Sequence, residues 1–211
     1  TSAEDIWQHI LQREIGSYLR KEDNYHIRRT CRGFRDVGLS SLDMTIDGFL
    51  AFIECYKARP EICAMVRTLT VNGMSMTPDL LTSLHMVRVN SLNLSRNGIN
   101  DAGAIAIARS AYMARLISLD LHSSRIGDIG AIAIARSAYM ARLTSLNLEY
   151  NEIGKSGAIA IAGSAHMRKL TSLFLYGNNI SEAGTTAIAS STHMAQLTNL
   201  DLSQNNLGDA G

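Results

Sequence analysis

Apolar residues in this chain follow two periods, one nested in the other. The short period is alternation. In Leu116, Leu119 and Leu121 the last two leucines stand two apart and share one face of a short strand. The long period is 27 residues, the offset between two copies of GAIAIARSAYMAR that start at Gly103 and Gly130. Counted from its first apolar strand residue, the same opening recurs at Val89/Leu92/Leu94, Leu143/Leu146/Leu148, Leu170/Leu173/Leu175 and Leu197/Leu200/Leu202. Two degenerate openings precede these, Leu39/Leu42/Met44 and Val66/Leu69/Val71, and the unit that begins at Val66 is shortened to 23 residues. Seven strands are therefore expected.

The remaining positions of the unit have readable roles. Position 9 is Asn97, Asn151, Asn178 and Asn205, an amide that can bond backbone groups where the strand bends away. Ser124 and Met74 interrupt that column. Position 11 (Ile99, Ile126, Ile153, Ile180, Leu207) reads as a core plug. Position 15 is Gly103, Gly130, Gly157, Gly184 and Gly211, read as turn glycines because they recur with the repeat. The GAIAIA run alternates like a strand, but alanine is the best helix former. It also lies between strands that must be parallel and so need a crossover of about a dozen residues. Helices are expected there, with Ala131, Ile134, Ala135 and Ala138 of the unit beginning at Leu116 facing inward. Parallel strands stack about 4.8 Å apart while helices need roughly 8–10 Å. The stack must curve, with strands on the concave side and helices on the convex side. The fold class is α/β: a curved solenoid whose units bury their faces only against one another.

This pattern resembles the ribonuclease-inhibitor class of leucine-rich repeats, and more narrowly the bacterial GALA type, named for a Gly-Ala-x-Ala-Leu-Ala run. Here the run stands as Gly-Ala-Ile-Ala-Ile-Ala at 103–108, 130–135 and 157–162, and in looser form at 184–189, where Thr185 and Thr186 intervene. The resemblance covers residues 39–211. It implies an effector delivered by a bacterium into the cytoplasm of a host cell, with an F-box as its N-terminal module.

Residues 1–38 have a different pattern. Ile6, Ile10, Ile15, Tyr18 and Leu19 fit one amphipathic helical stretch, and Ile27, Cys31 and Phe34 a second. A small helical cap is expected, shielding the first strand of the array at 39–211. Tyr18-Leu19, Asp23 and Arg29–Asp36 resemble the second half of an F-box, which implies that Tyr18, Leu19, Cys31 and Phe34 contact the Skp adaptor of cullin ubiquitin ligases. The first half departs from that motif, since its usual Leu-Pro opening falls on Trp7 and Gln8. At the other end the repeat stops at Gly211 within a unit, so the natural chain is expected to continue.

Composition narrows the function classes. Net charge is +1, which makes no electrostatic case for nucleic acid or an anionic membrane. No apolar run reaches the length of a membrane span. The three cysteines, Cys31, Cys55 and Cys63, lack metal-ligand spacing and suit a reducing compartment. His166 and His193 share a repeat position with Tyr112 and Tyr139, so they read as surface residues and not as ligands. No phosphate-binding loop, nucleophile elbow or zinc motif occurs. No enzyme activity, cofactor or metal is expected.

What remains is a binding surface. Leucine positions hardly change between units, whereas positions 5, 7 and 8 change freely: Asp120, Asn147 and Phe174; His122, Glu149 and Tyr176; Arg96, Ser123 and Tyr150. Phe174, Tyr176 and Tyr150 should cluster on the concave face, with Arg96, Asp120, His122 and Glu149 supplying polar contacts, as a protein-binding hot spot requires. Two outcomes of binding stay open. In one the array acts by occupying its partner, a host protein or another bacterial effector; in the other it presents that protein to a Skp–cullin ligase.

Overall fold

A computed structural model describes residues 41–45, 67–72 and 89–208. The expected cap at 1–38, with Tyr18, Leu19, Cys31 and Phe34, lies outside them, as do Cys55, Cys63, Met74 and Gly211. The described elements run β1 (Ser41–Thr45), β2 (Thr68–Asn72), β3 (Ser91–Asn93), α1 (Asn100–Arg109), β4 (Ser118–Asp120), α2 (Asp128–Arg136), β5 (Ser145–Asn147), α3 (Lys155–Ala162), β6 (Ser172–Phe174), α4 (Ser181–Ala189) and β7 (Asn199–Asp201). A short 3-10 turn follows each helix. The strands form one parallel sheet of seven in chain order β1 to β7. Pairing is in register with the repeat: Leu119 faces Leu146, and Leu146 faces Leu173. The solenoid and its strand count match the sequence reading, and the GAIAIA runs are helical.

The core is the seam between the sheet and the helix layer. Leu119, Leu121, Ile126, Ala131, Ile134 and Ala135 are wholly buried, and their equivalents in the next unit are nearly so. One expected inward residue is not there: Ala138 is exposed, and Met140 of the following 3-10 turn fills the space. The helix has ended by then, at Arg136, so helical spacing no longer dictates direction. Met113, Met167 and Met194 are buried at the equivalent position, where an unbranched thioether adapts to an irregular gap.

The four described glycines at position 15 are not turn residues but lie within helices. Gly130 and Gly157 lie inside the first turns of α2 and α3 and are buried. A Cβ on Gly157 would stand 2.8 Å from Ile153 Cγ2, 2.9 Å from Asp128 Oδ1 and 3.0 Å from Ala131 Cβ. Glycine is required because the preceding helix approaches too closely for a side chain.

Side chains also bond the units to one another. Asn178 Nδ2 donates to the carbonyls of Leu148 (2.9 Å) and Leu175 (3.0 Å), and its Oδ1 accepts from the Ile153 amide at 3.0 Å. Asn151 does the same one unit earlier, its Oδ1 accepting from the amides of Ser124 and Ile126 at 3.0 and 2.9 Å. Asp128 Oδ1 accepts from the amides of Gly154 and Gly157, both at 2.8 Å, and Asp101 serves Gly127 and Gly130 in the same way. Each aspartate thus caps the N-terminus of the next helix, where the dipole favours an anion. Ser137 Oγ donates back to the Ala108 carbonyl at 2.5 Å, and Ser164 Oγ to that of Ala135.

These contacts set two expectations for stability. Ser124 is buried in the asparagine column, and its hydroxyl reaches only the His122 carbonyl, at 3.3 Å. Ser124→Asn should restore the amide and stabilise the fold by about 1 kcal/mol. A differential scanning calorimeter would register this as a rise in Tm of roughly 2–4 °C. Gly157→Ala should instead lower stability by about 1–3 kcal/mol through overpacking, measured as a shift in the urea unfolding midpoint.

Candidate functional site

Strands β3 to β7 are three residues long, so positions 5 to 8 carry the chain from the strand into the bend above it. Two backbone devices aim their side chains. At position 5 an Asn or Asp oxygen accepts from the amide two residues on: Asn93 from Ser95 (2.9 Å), Asp120 from His122 (3.0 Å), Asn147 from Glu149 (2.9 Å) and Asp201 from Ser203 (2.8 Å). This is an Asx turn, and it explains why four of the five units from β3 to β7 carry Asn or Asp there, Phe174 being the exception. Position 8 is left-handed wherever it is described: Arg96, Ser123, Tyr150, Gly177 and Gln204 have φ between 50° and 66°. Such a conformation costs a non-glycine residue about 1–2 kcal/mol, so it is held by its neighbours. One of them is the inter-strand bond in which the Tyr150 amide donates to the Tyr176 carbonyl at 2.8 Å.

These constraints bring four predicted residues into contact. The rings of Tyr150 and Tyr176 meet edge to face with centroids 4.9 Å apart, and His122 meets Tyr150 edge to face at 5.3 Å. His122 Nδ1 lies 3.5 Å from Glu149 Oε2. Tyr150 is 53% exposed, whereas His122, Glu149 and Tyr176 are half-buried. Gly177 makes room for this packing: a Cβ there would sit 3.0 Å from Tyr150 Cδ1.

The other predicted residues take different places. Phe174 is half-buried on β6, in register with Asn147 and Asp201, and belongs to the same face two residues before Tyr176. Asp120 has one oxygen committed to its Asx turn. Arg96 is exposed, and its amide donates to the His122 carbonyl at 2.8 Å. Asp201, which the position-5 column contains but the expected contact set left out, stands beside Phe174. Its Asn/Asp neighbours at position 5 were the available signal.

Electrostatics follow from these contacts. Hydrogen bonding with Tyr150 raises the Tyr176 phenol pKa, with smaller contributions from desolvation and from the negative charges of Asp201 and Glu149. The Ser203 amide and hydroxyl lower the Asp201 carboxyl. The patch is therefore aromatic and rimmed by carboxylates at neutral pH. Among the described residues no cluster of His, Cys, Asp and Glu is arranged to hold a metal, and no helix is long and apolar enough to cross a membrane.

A family model described as leucine-rich repeat matches residues 89–108, 116–135, 142–162 and 193–211. No curated protein matches the chain.

Since the Tyr176 phenol is raised chiefly by Tyr150, Tyr150→Phe should bring its midpoint down in an ultraviolet phenolate titration. A group raised in the folded state contributes stability at pH below its unfolded pKa and loses it as pH climbs through the folded one. The wild type should therefore lose more stability than Tyr150→Phe across that alkaline window.

Proposed function

We propose that this chain, four stretches of which match a leucine-rich-repeat model, is a non-enzymatic effector that holds a partner protein on its concave face and acts by occupying it. The observation that carries this reading is the contact chain His122–Tyr150–Tyr176, built from three successive units and left open to solvent. Nothing in the packing of the repeat calls for rings at these positions, since other units place Ser, Asn or Gln there. Exposed aromatics seated among polar groups are the residues that dominate protein interfaces. Phe174 extends the patch, and Arg96, Asp120, His122 and Glu149 supply its polar rim. The partner is a host protein or another bacterial effector, met inside the host cell after delivery, as the GALA resemblance suggests.

The second reading rests on the F-box-like residues Tyr18, Leu19, Cys31 and Phe34 in the segment 1–38. In it that segment recruits the Skp adaptor, and the array at 39–211 presents the bound protein to a cullin ligase. The departure of Trp7 and Gln8 from the motif favours occupation.

Partner capture tests both. Phe174→Ala/Tyr176→Ala should remain folded and lose at least about tenfold in affinity, given that hot-spot truncations cost about 2 kcal/mol or more. Unchanged affinity would sink the proposed face. Stoichiometric co-purification of Skp through wild-type protein, lost in Leu19→Ala/Phe34→Ala, would replace occupation by ligase recruitment.

A further inference from the structure

Charge is sorted between the two edges of the solenoid. No Asp or Glu occurs in 103–119, 130–146, 157–173 or 184–200, the segments that run along each helix, through the 3-10 turn and into the next strand. The same segments hold Arg109, Arg115, Arg136, Arg142, Arg168 and Lys169, all exposed. The carboxylates of Asp101 and Asp128 lie at the other ends of these helices, tied to amides at the next helix N-terminus. Arg109 and Arg136 close the last turns of α1 and α2, where the helix dipole favours cations. The other four lie beyond the helices, and no helix end accounts for them. Among the described residues none of the six forms an ion pair.

Their spacing is set by the sheet. Arg115, Arg142 and Lys169 each stand two residues before Ile117, Thr144 and Thr171, whose backbones are joined unit to unit: the Thr144 amide donates to Ile117 O and the Thr171 amide to Thr144 O, both at 2.8 Å. The three cations therefore stand in one column, one per unit, beside strand starts that are about 4.8 Å apart. Beside the last rung a groove of about 580 Å³ opens, lined by Arg168, Lys169, His193, Thr144, Thr171 and Gln196 among others. Tyr139 is 39% exposed on the same edge.

From this we propose that the basic edge is a second docking surface, distinct from the concave patch, and that it takes an acidic α-helix of a partner protein. Complementary charge selects an anion, and a helix presents its acids in a row of comparable length: carboxylates at i, i+3 and i+7 span about 10.5 Å, against about 9.6 Å for three rungs at the strand starts. Duplex phosphates wind around their axis and leave a single column after a rung or two. Arginine forks fit carboxylates bidentately, and the groove can enclose the acidic side chain next to Lys169 and desolvate that pair.

The test uses fluorescence anisotropy with the 211-residue chain and three labelled probes. One is an alanine-rich helical peptide with Glu at i, i+3 and i+7; one is its composition-matched scramble; one is a DNA duplex. The facial peptide should bind in a salt-sensitive manner and more tightly than either other probe. Arg115→Glu/Arg142→Glu/Lys169→Glu should weaken it by about tenfold or more, with the thermal melt unchanged because the sites are exposed. The milder triple change to Gln should weaken it less, and Phe174→Ala/Tyr176→Ala not at all. The proposal is overturned if the facial peptide does not bind, if the scramble binds equally well, or if DNA binds more tightly. It is equally overturned if both folded triple variants retain full affinity.

Discussion

Every feature of this molecule depends on how a three-residue strand can be followed by a reversal of the chain without leaving buried backbone groups unpaired. A strand that short offers little ladder, and the bends on either side of it are covered by the neighbouring units. Side chains complete the pairing. Asn151 and Asn178 serve the bend above the strand, Asp101 and Asp128 the start of the next helix, and Ser137 and Ser164 the carbonyls at the end of the previous one. Each bond crosses from one unit to the next. Stacking is thus enforced by polar satisfaction as much as by the leucine core, since an unmet buried donor or acceptor costs about 1–3 kcal/mol.

The same bonds shape the surface. Because the bend is pinned, position 8 is held left-handed in the five units from β3 to β7, and the residue that stands there is turned outward. Where that residue is Tyr150 and the next unit supplies Gly177, an aromatic ring lies flush against the backbone and reaches Tyr176. Phe174 gives up the Asx turn its column otherwise makes, exchanging a local bond for apolar surface. The candidate site is therefore the place where the repeat's own rules are relaxed, which is the usual mark of a position kept for something other than folding. Charge obeys the same logic. Asp101 and Asp128 stand where the next helix N-terminus needs a carboxylate, and Arg109 and Arg136 where a helix ends.

Much of the fold and part of the candidate site are legible in the residues alone. Period, strand count and helical GAIAIA runs follow from spacing within one unit, and so does the concave placement of Tyr150, Phe174 and Tyr176. The features that escape such a reading share one physical cause: they are decided by contacts between units. The glycines at 130 and 157 look like turn residues until the preceding helix is seen against them. Ala138 continues a helical stripe by spacing, but the helix stops and Met140 takes its place. Position 5 looks free to vary. Its Asn/Asp preference is a turn that becomes meaningful once the amide at position 7 is known to need a partner. Asp101 and Asp128 give no local hint at all, because the amides they cap lie 26 and 29 residues further on.

A surface assembled from successive units is only as durable as the stacking beneath it. In a solenoid, stability is nearly a sum over units and their neighbouring interfaces, and fraying proceeds from the ends. His122, Tyr150 and Tyr176 come from the units of β4, β5 and β6, each with described strands on both sides. Asp201 of β7 stands beside Phe174 in the same register, so the patch draws on four successive units. A partner gripping these rings and the carboxylate together would hold the units in register and gain affinity from the order it imposes, a coupling that a patch confined to one unit could not provide.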